Sequence, residues 1–179
     1  MILSALLGRP SRWSGTLRLT ADPDIHGAKP FGCDIVLNEK LIGDDARWRT
    51  LIHEMLHTFS AGYQVHDYQA FRGWEEGVVE FLQRLLRPAV LAQVAPTVNE
   101  EVFLRTEADH IYNDYIAALE TLRKALKREE SLFYFRLLAT PIRDRPAAIL
   151  SQGRSLVREE DAAFVRLFSM CDAALKKRI

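Results

Sequence analysis

The stretch His53-Glu54-Met55-Leu56-His57 constrains this chain more than any other. Two histidines four apart on a helix lie one turn above each other, about 40° apart round the axis. Imidazoles so placed can share one metal ion. Glu54 falls about 60° further round, beside such an ion rather than on it, where it suits a general base for a metal-activated water. Trp48, Ile52, Met55, Leu56 and Phe59 recur at helical spacing on the opposite side. One face of this helix is therefore expected in a core, and the other carries the chemistry. The bland alternative is an amphipathic helix whose polar face holds His, Glu and His by chance.

A catalytic zinc takes three protein ligands and keeps one position open. Ser60 and Tyr63 stand where a metzincin would place its glycine and third histidine, so that arrangement fails. His66 and Asp67 are within reach in the following loop, and Glu75 and Glu76 come next. Trp74, Val78, Phe81, Leu82 and Leu85 form an apolar stripe, with Glu76, Glu80 and Gln83 on the other side. Glu76 can then face the metal while the stripe faces a core. Glu80, one turn on, can accept a hydrogen bond from a ligand histidine. Acidic residues in the first turns of a helix are also favoured by the helix dipole, with no metal involved.

Eighteen residues separate His57 from Glu76-Gly77. HExxH, eighteen residues and Glu-Gly resemble the gluzincin metallopeptidases in their aminopeptidase form, over residues 50–86. That family commonly reads Asn-Glu-Gly where this chain has Glu75-Glu76-Gly77. The resemblance implies a zincin-like fold, Zn²⁺ on His53, His57 and Glu76, Glu54 as base, and hydrolysis of peptide bonds. It also implies a downstream Tyr or His that stabilises the oxyanion. Tyr112 and His110 are candidates, with His66 an upstream one; the alternative is a core tyrosine and solvated histidines. No Gly-x-Met-x-Asn segment precedes the zinc helix, so an endopeptidase is expected rather than an aminopeptidase.

Glu75, Phe81 and Leu85-Leu86-Arg87-Pro88 also resemble, more weakly, the regulatory metallopeptidases that cleave phage repressors. A non-catalytic zinc-containing binding module is the third reading.

The remaining chain predicts an α+β fold in a single domain over residues 1–179: a small N-terminal sheet, then a mostly helical body. Residues 1–8 form a short apolar element, and Thr16–Thr20 alternates as a strand. Gly27–Pro30 is turn material. Cys33–Asn38 is a second strand, and the resemblance to zinc peptidases of this order implies that it is the sheet edge beside the zinc helix. There Ile35, Val36, Leu37 and Asn38 can pair with an extended peptide, or simply form an ordinary edge. An Asp at 44 or 45 caps the zinc helix, which is expected to run to Ala61-Gly62. Residues 62–73 are a loop, and Pro88 ends or kinks the Glu76 helix. Pro96 opens a long helical stretch to about Lys127, Leu132–Leu138 is a buried helix, and Ser155 leads a last helix to about Ala174.

Lys plus Arg equals Asp plus Glu at 24 each, so no global field favours nucleic acid or an anionic membrane. Two cysteines, Cys33 and Cys171, make no disulfide framework. No apolar run reaches transmembrane length and no signal peptide is recognisable, so a cytoplasmic protein acting on a peptide or protein is expected.

Overall fold

The computed structural model describes residues 2–29, 34–95, 97–98, 100–153 and 158–177. Cys33, Pro96 and Ser155, each singled out above, lie outside them. The fold is α+β, mostly helical with a small three-stranded sheet. Among the described residues no helix is long and apolar enough to cross a membrane. The chain divides into two compact units. Met1–Phe59 with Leu82–His110 form one, and Ser60–Phe81 with Ile111–Ile179 the other.

The first unit opens with α1 (Ile2–Leu7) and a sheet of β1 (Leu17–Thr20), β2 (Gly27–Ala28) and β3 (Ile35–Asn38). The strand order is β1-β3-β2. β1 runs parallel to β3, and β2 pairs antiparallel on its other side. This corrects two expectations. The Gly27 segment is a strand rather than a turn. β3 is therefore the central strand and not an edge, because both of its ladders are occupied. Its buried apolar residues, Ile35 and Leu37, suit a central position. Asn38 is not free to meet a substrate. Its amide donates to the carbonyls of Asp22 and Ile25 (2.7 and 2.8 Å) and accepts from the Lys40 N–H (3.0 Å). It clamps the crossover from which β2 emerges.

α2 (Ala46–His57) packs on β3 and β2. Asp44 Oδ1 accepts from the Ala46 N–H (2.8 Å), satisfying one donor of its first turn. The helix ends at His57, earlier than Gly62. The Thr58 hydroxyl turns back to the Met55 carbonyl (2.6 Å), while the Thr58 carbonyl accepts from the Arg12 N–H (3.0 Å). Ile52, Leu56 and Phe59 enter the core, with Leu82, Leu86, Leu91 and Phe103 also buried in this unit. Arg87 is buried too; it pairs with Glu107 and lies 4.3 Å over the Phe103 ring. Phe103 and Glu107 belong to α5 (Glu101–Ala108).

The second unit begins with α3 (Val65–Ala70), inside the stretch read as loop. α4 (Arg72–Val94) follows after Phe71 and contributes to both units. Pro88 lies inside it rather than at its end. Proline removes one backbone donor, and the buried Val90 and Leu91 beyond it keep the chain helical. Leu85 is exposed, while Leu86 takes the inner position.

The expected long helix after Pro96 is two, α5 and α6 (Asn113–Ala125), broken at Asp109–Tyr112. α7 (Glu130–Ala139) is the buried helix anticipated at Leu132–Leu138. Its cap is Glu129, whose carboxylate accepts from the Ser131 and Leu132 N–H groups. The Phe81 ring stacks on Tyr134 at 3.6 Å. α8 (Arg145–Gly153) and α9 (Arg158–Lys176) complete the unit, and α9 packs along α6 and α8. Gly77 gives α6 its seat on α4. A Cβ there would lie 2.8 Å from Leu119 Cδ1 and 3.0 Å from Tyr115 Cβ, tighter than ordinary packing.

Candidate metal centre

Both sides of α2 are covered. His53, Glu54 and His57 are buried along with Ile52 and Leu56. Polar side chains at such depth require partners. The His53 and His57 rings stand edge to face with centroids 5.0 Å apart. Glu76 on α4 is the third member. One ligand atom from each of His53, His57 and Glu76 lies within 4.8 Å of the other two, and all three side chains are buried. Two imidazoles and one carboxylate are a donor set that borderline-soft divalent cations accept. The group can hold a metal ion.

Glu54 sits beneath β2. A Cβ on Gly27 would lie 3.2 Å from Glu54 Oε1 and would collide with Thr50 Cγ2. β2 therefore lies against the His-Glu-His helix alongside β3, and glycine at 27 lets it come this close.

Glu76 does not stand alone. The Tyr68 hydroxyl, from α3, donates to Glu76 Oε1. Arg72 Nε lies 3.9 Å from the same oxygen, near enough for charge attraction and too far for a hydrogen bond. Arg72 Nη2 makes a long contact (3.4 Å) with the Tyr112 hydroxyl. Burial, and then the charge and acceptor oxygen of Glu76, push the Tyr68 phenol far above its ordinary range, so it stays a donor. Burial works against the Arg72 charge, but Tyr112, Tyr68 and Glu76 outweigh it and hold the guanidinium above its ordinary value.

Glu75, weighed above as a ligand, has another partner. Its carboxylate accepts from Arg145 Nη1 (2.7 Å) and from the Ser60 hydroxyl (2.8 Å), with both members of the ion pair fully buried. Arg145 also donates to the Trp74 carbonyl (3.0 Å), Ser60 Oγ (3.0 Å) and the Thr140 carbonyl (3.2 Å). Adjacent glutamates thus take separate roles. Glu75 locks the first turns of α4 to α8 and to the segment after α2, and Glu76 joins the histidines.

Glu80 is fully buried one turn beyond Glu76. His66 is exposed and pairs with its neighbour Asp67 at 2.9 Å, so it is not part of the histidine group. Tyr112 stands beside Arg72, and His110 is half-buried in the turn after α5. Sequence reasoning took a tyrosine or histidine of residues 62–73 only as an oxyanion candidate, not Tyr68 as a partner of Glu76, and gave no role to Arg72, Ser60 or Arg145. A signal for Tyr68 and Arg72 exists, since Tyr68, Arg72, Glu76 and Glu80 recur every four residues. Arg145 offers none, because its partner is remote in the chain. Comparisons with protein-family models, curated proteins and solved structures gave no match.

Proposed function

We propose that this chain is a zinc-dependent peptidase with a zincin-like arrangement. The observation that carries the reading is the buried His53, His57 and Glu76 group, with Glu54 next to His53 on the same helix. Three protein ligands of the His₂Glu type leave a fourth position for water or substrate, the pattern of catalytic rather than structural zinc. Zinc bound there supplies a Lewis acid that polarises a carbonyl and makes water acidic near neutral pH. Glu54 accepts the proton of the attacking water and delivers it to the departing amine. Tyr68 orients Glu76 through its hydroxyl. Glu75, tied to Arg145, fixes the turn from which Glu76 projects.

The edge beside Glu54 also supports a peptide substrate. Among the described residues β2 pairs with β3 alone, on one of its two edges. An extended peptide can add at the other edge as a further strand, with its scissile carbonyl toward α2. The balanced charge of the chain favours no polyanionic partner.

Zinc analysis together with digestion of a mixed peptide library at neutral pH tests the proposal. Stoichiometric zinc with cleavage that disappears in Glu54→Gln is the expected result. Zinc without cleavage of any peptide overturns the peptidase reading and leaves a metal-containing binding module.

A further inference from the structure

Arg72 opens α4 one turn before Glu76, and its side chain is 41% exposed. Its donors are poorly filled. Nε is buried and has no acceptor, and Nη2 has only the long contact with Tyr112. Glu76 Oε1, the nearest counter-charge, already accepts from Tyr68. A metal on Glu76 would draw off more of that carboxylate's charge. The guanidinium would then be a half-desolvated cation at the margin of the metal group, lacking an anion.

We infer that Arg72, steered by Tyr112, is the anchor for a substrate carboxylate, and that the site takes peptides whose free carboxyl terminus lies one or two residues beyond the scissile bond. This rests on the peptidase reading and narrows its substrate class, replacing the endopeptidase expectation. Arginine presents a planar fork that grips a carboxylate through two parallel hydrogen bonds, which suits it to this role over lysine. The positive end of the α4 dipole lies at the same place. Arg72 Nε is 3.9 Å from the Glu76 oxygen, so a carboxylate held by the exposed part of the guanidinium lies close to the ligand group. A carboxylate could also come from an acidic side chain, and the test separates the two sources.

The experiment uses zinc-loaded Glu54→Gln protein, which binds without turnover. Three matched short peptides are titrated by calorimetry: a free acid, its carboxyl-terminal amide, and the amide with a glutamate beside the terminus. The free acid is expected to bind about tenfold or more tighter than the plain amide, the scale of a charge-assisted hydrogen bond. Adding Arg72→Gln should shrink that ratio to about twofold or less with zinc content unchanged, and Tyr112→Phe should reduce it in part. Equal binding of acid and amide, no binding of either, or a ratio that survives Arg72→Gln overturns the inference. So does loss of zinc in Arg72→Gln, which would make Arg72 a support for Glu76. Tight binding of the glutamyl amide alone moves the anchored group to a side chain and overturns the terminal assignment. Cleavage by the unmodified chain is scored separately. Hydrolysis without acid preference sinks this inference alone, and acid preference without hydrolysis sinks the peptidase reading, and with it the placement of a scissile bond, leaving Arg72 as a carboxylate anchor only.

Discussion

Arg145 Nη1 lies 2.7 Å from Glu75 Oε2, and solvent reaches neither side chain. Burial, the largest influence, pulls the Arg145 pKa down, and the Glu75 carboxylate opposes it. Removing one partner leaves a buried charge uncompensated. Arg145→Met should therefore cost about 3–5 kcal/mol in urea unfolding. Glu75→Met/Arg145→Met should cost clearly less than the two single changes added together, since the double variant strands no charge. Additive losses would show that the two groups do not interact.

The metal group makes a direct prediction. Purified protein should carry about one zinc per chain, and His53→Ala or His57→Ala should lose it. Chelation should lower the melting temperature of the parent protein and leave the His57→Ala melt unmoved, because a ligand that binds only the folded chain stabilises it. Full zinc retention in both histidine variants would refute the site.

Glu54 and Glu76 should separate cleanly. Glu54→Gln keeps every ligand, so zinc should remain while peptide cleavage falls by about 10²–10⁴-fold. Glu76→Gln replaces an anionic ligand with a neutral one, so zinc affinity and cleavage should fall together. Metal loss in Glu54→Gln, or full metal and full rate in Glu76→Gln, would reverse these roles.

Tyr68→Phe removes the hydroxyl that Glu76 Oε1 accepts from. Zinc affinity, read by competition with a chromogenic chelator, should weaken by about 10–100-fold. Glu80→Gln should do the same if its buried carboxylate supports a ligand histidine. Unchanged affinity in Tyr68→Phe would leave its hydrogen bond without a role in holding the ligand.

Gly73→Ala tests the seat of α4. A Cβ there would run into the backbone carbonyl of Leu175 and lie 2.8 Å from Tyr115 Cε1. A carbonyl cannot swing aside as a side chain can, so the substitution should destabilise by about 1–3 kcal/mol in thermal or urea unfolding. A neutral outcome would mean that α9 does not approach α4 this closely.

What was legible in the chain follows the range of each interaction. His53, His57 and Glu76 could be read because helical spacing and a short intervening segment bring them into register. The central placement of β3 could not. It depends on β2, a two-residue strand made of a glycine and an alanine, which carries neither alternation nor β-branched residues. The break at Asp109–Tyr112 was hidden by apolar residues that continue at helical spacing across it. Arg145 was illegible for another reason. An arginine before a proline looks like an exposed helix start, and only a glutamate from a distant helix buries it.

The three ligands come from one short stretch of chain, whereas Arg145 comes from its last third. Closing a short loop costs less entropy than closing a long one. During synthesis, His53, His57 and Glu76 leave the ribosome well before Arg145 does. A metal ion can thus be captured by the nascent chain before the buried ion pair exists to set the turn of α4. If the group holds zinc as proposed, zinc starvation would remove that order, and the helix would wait for Arg145.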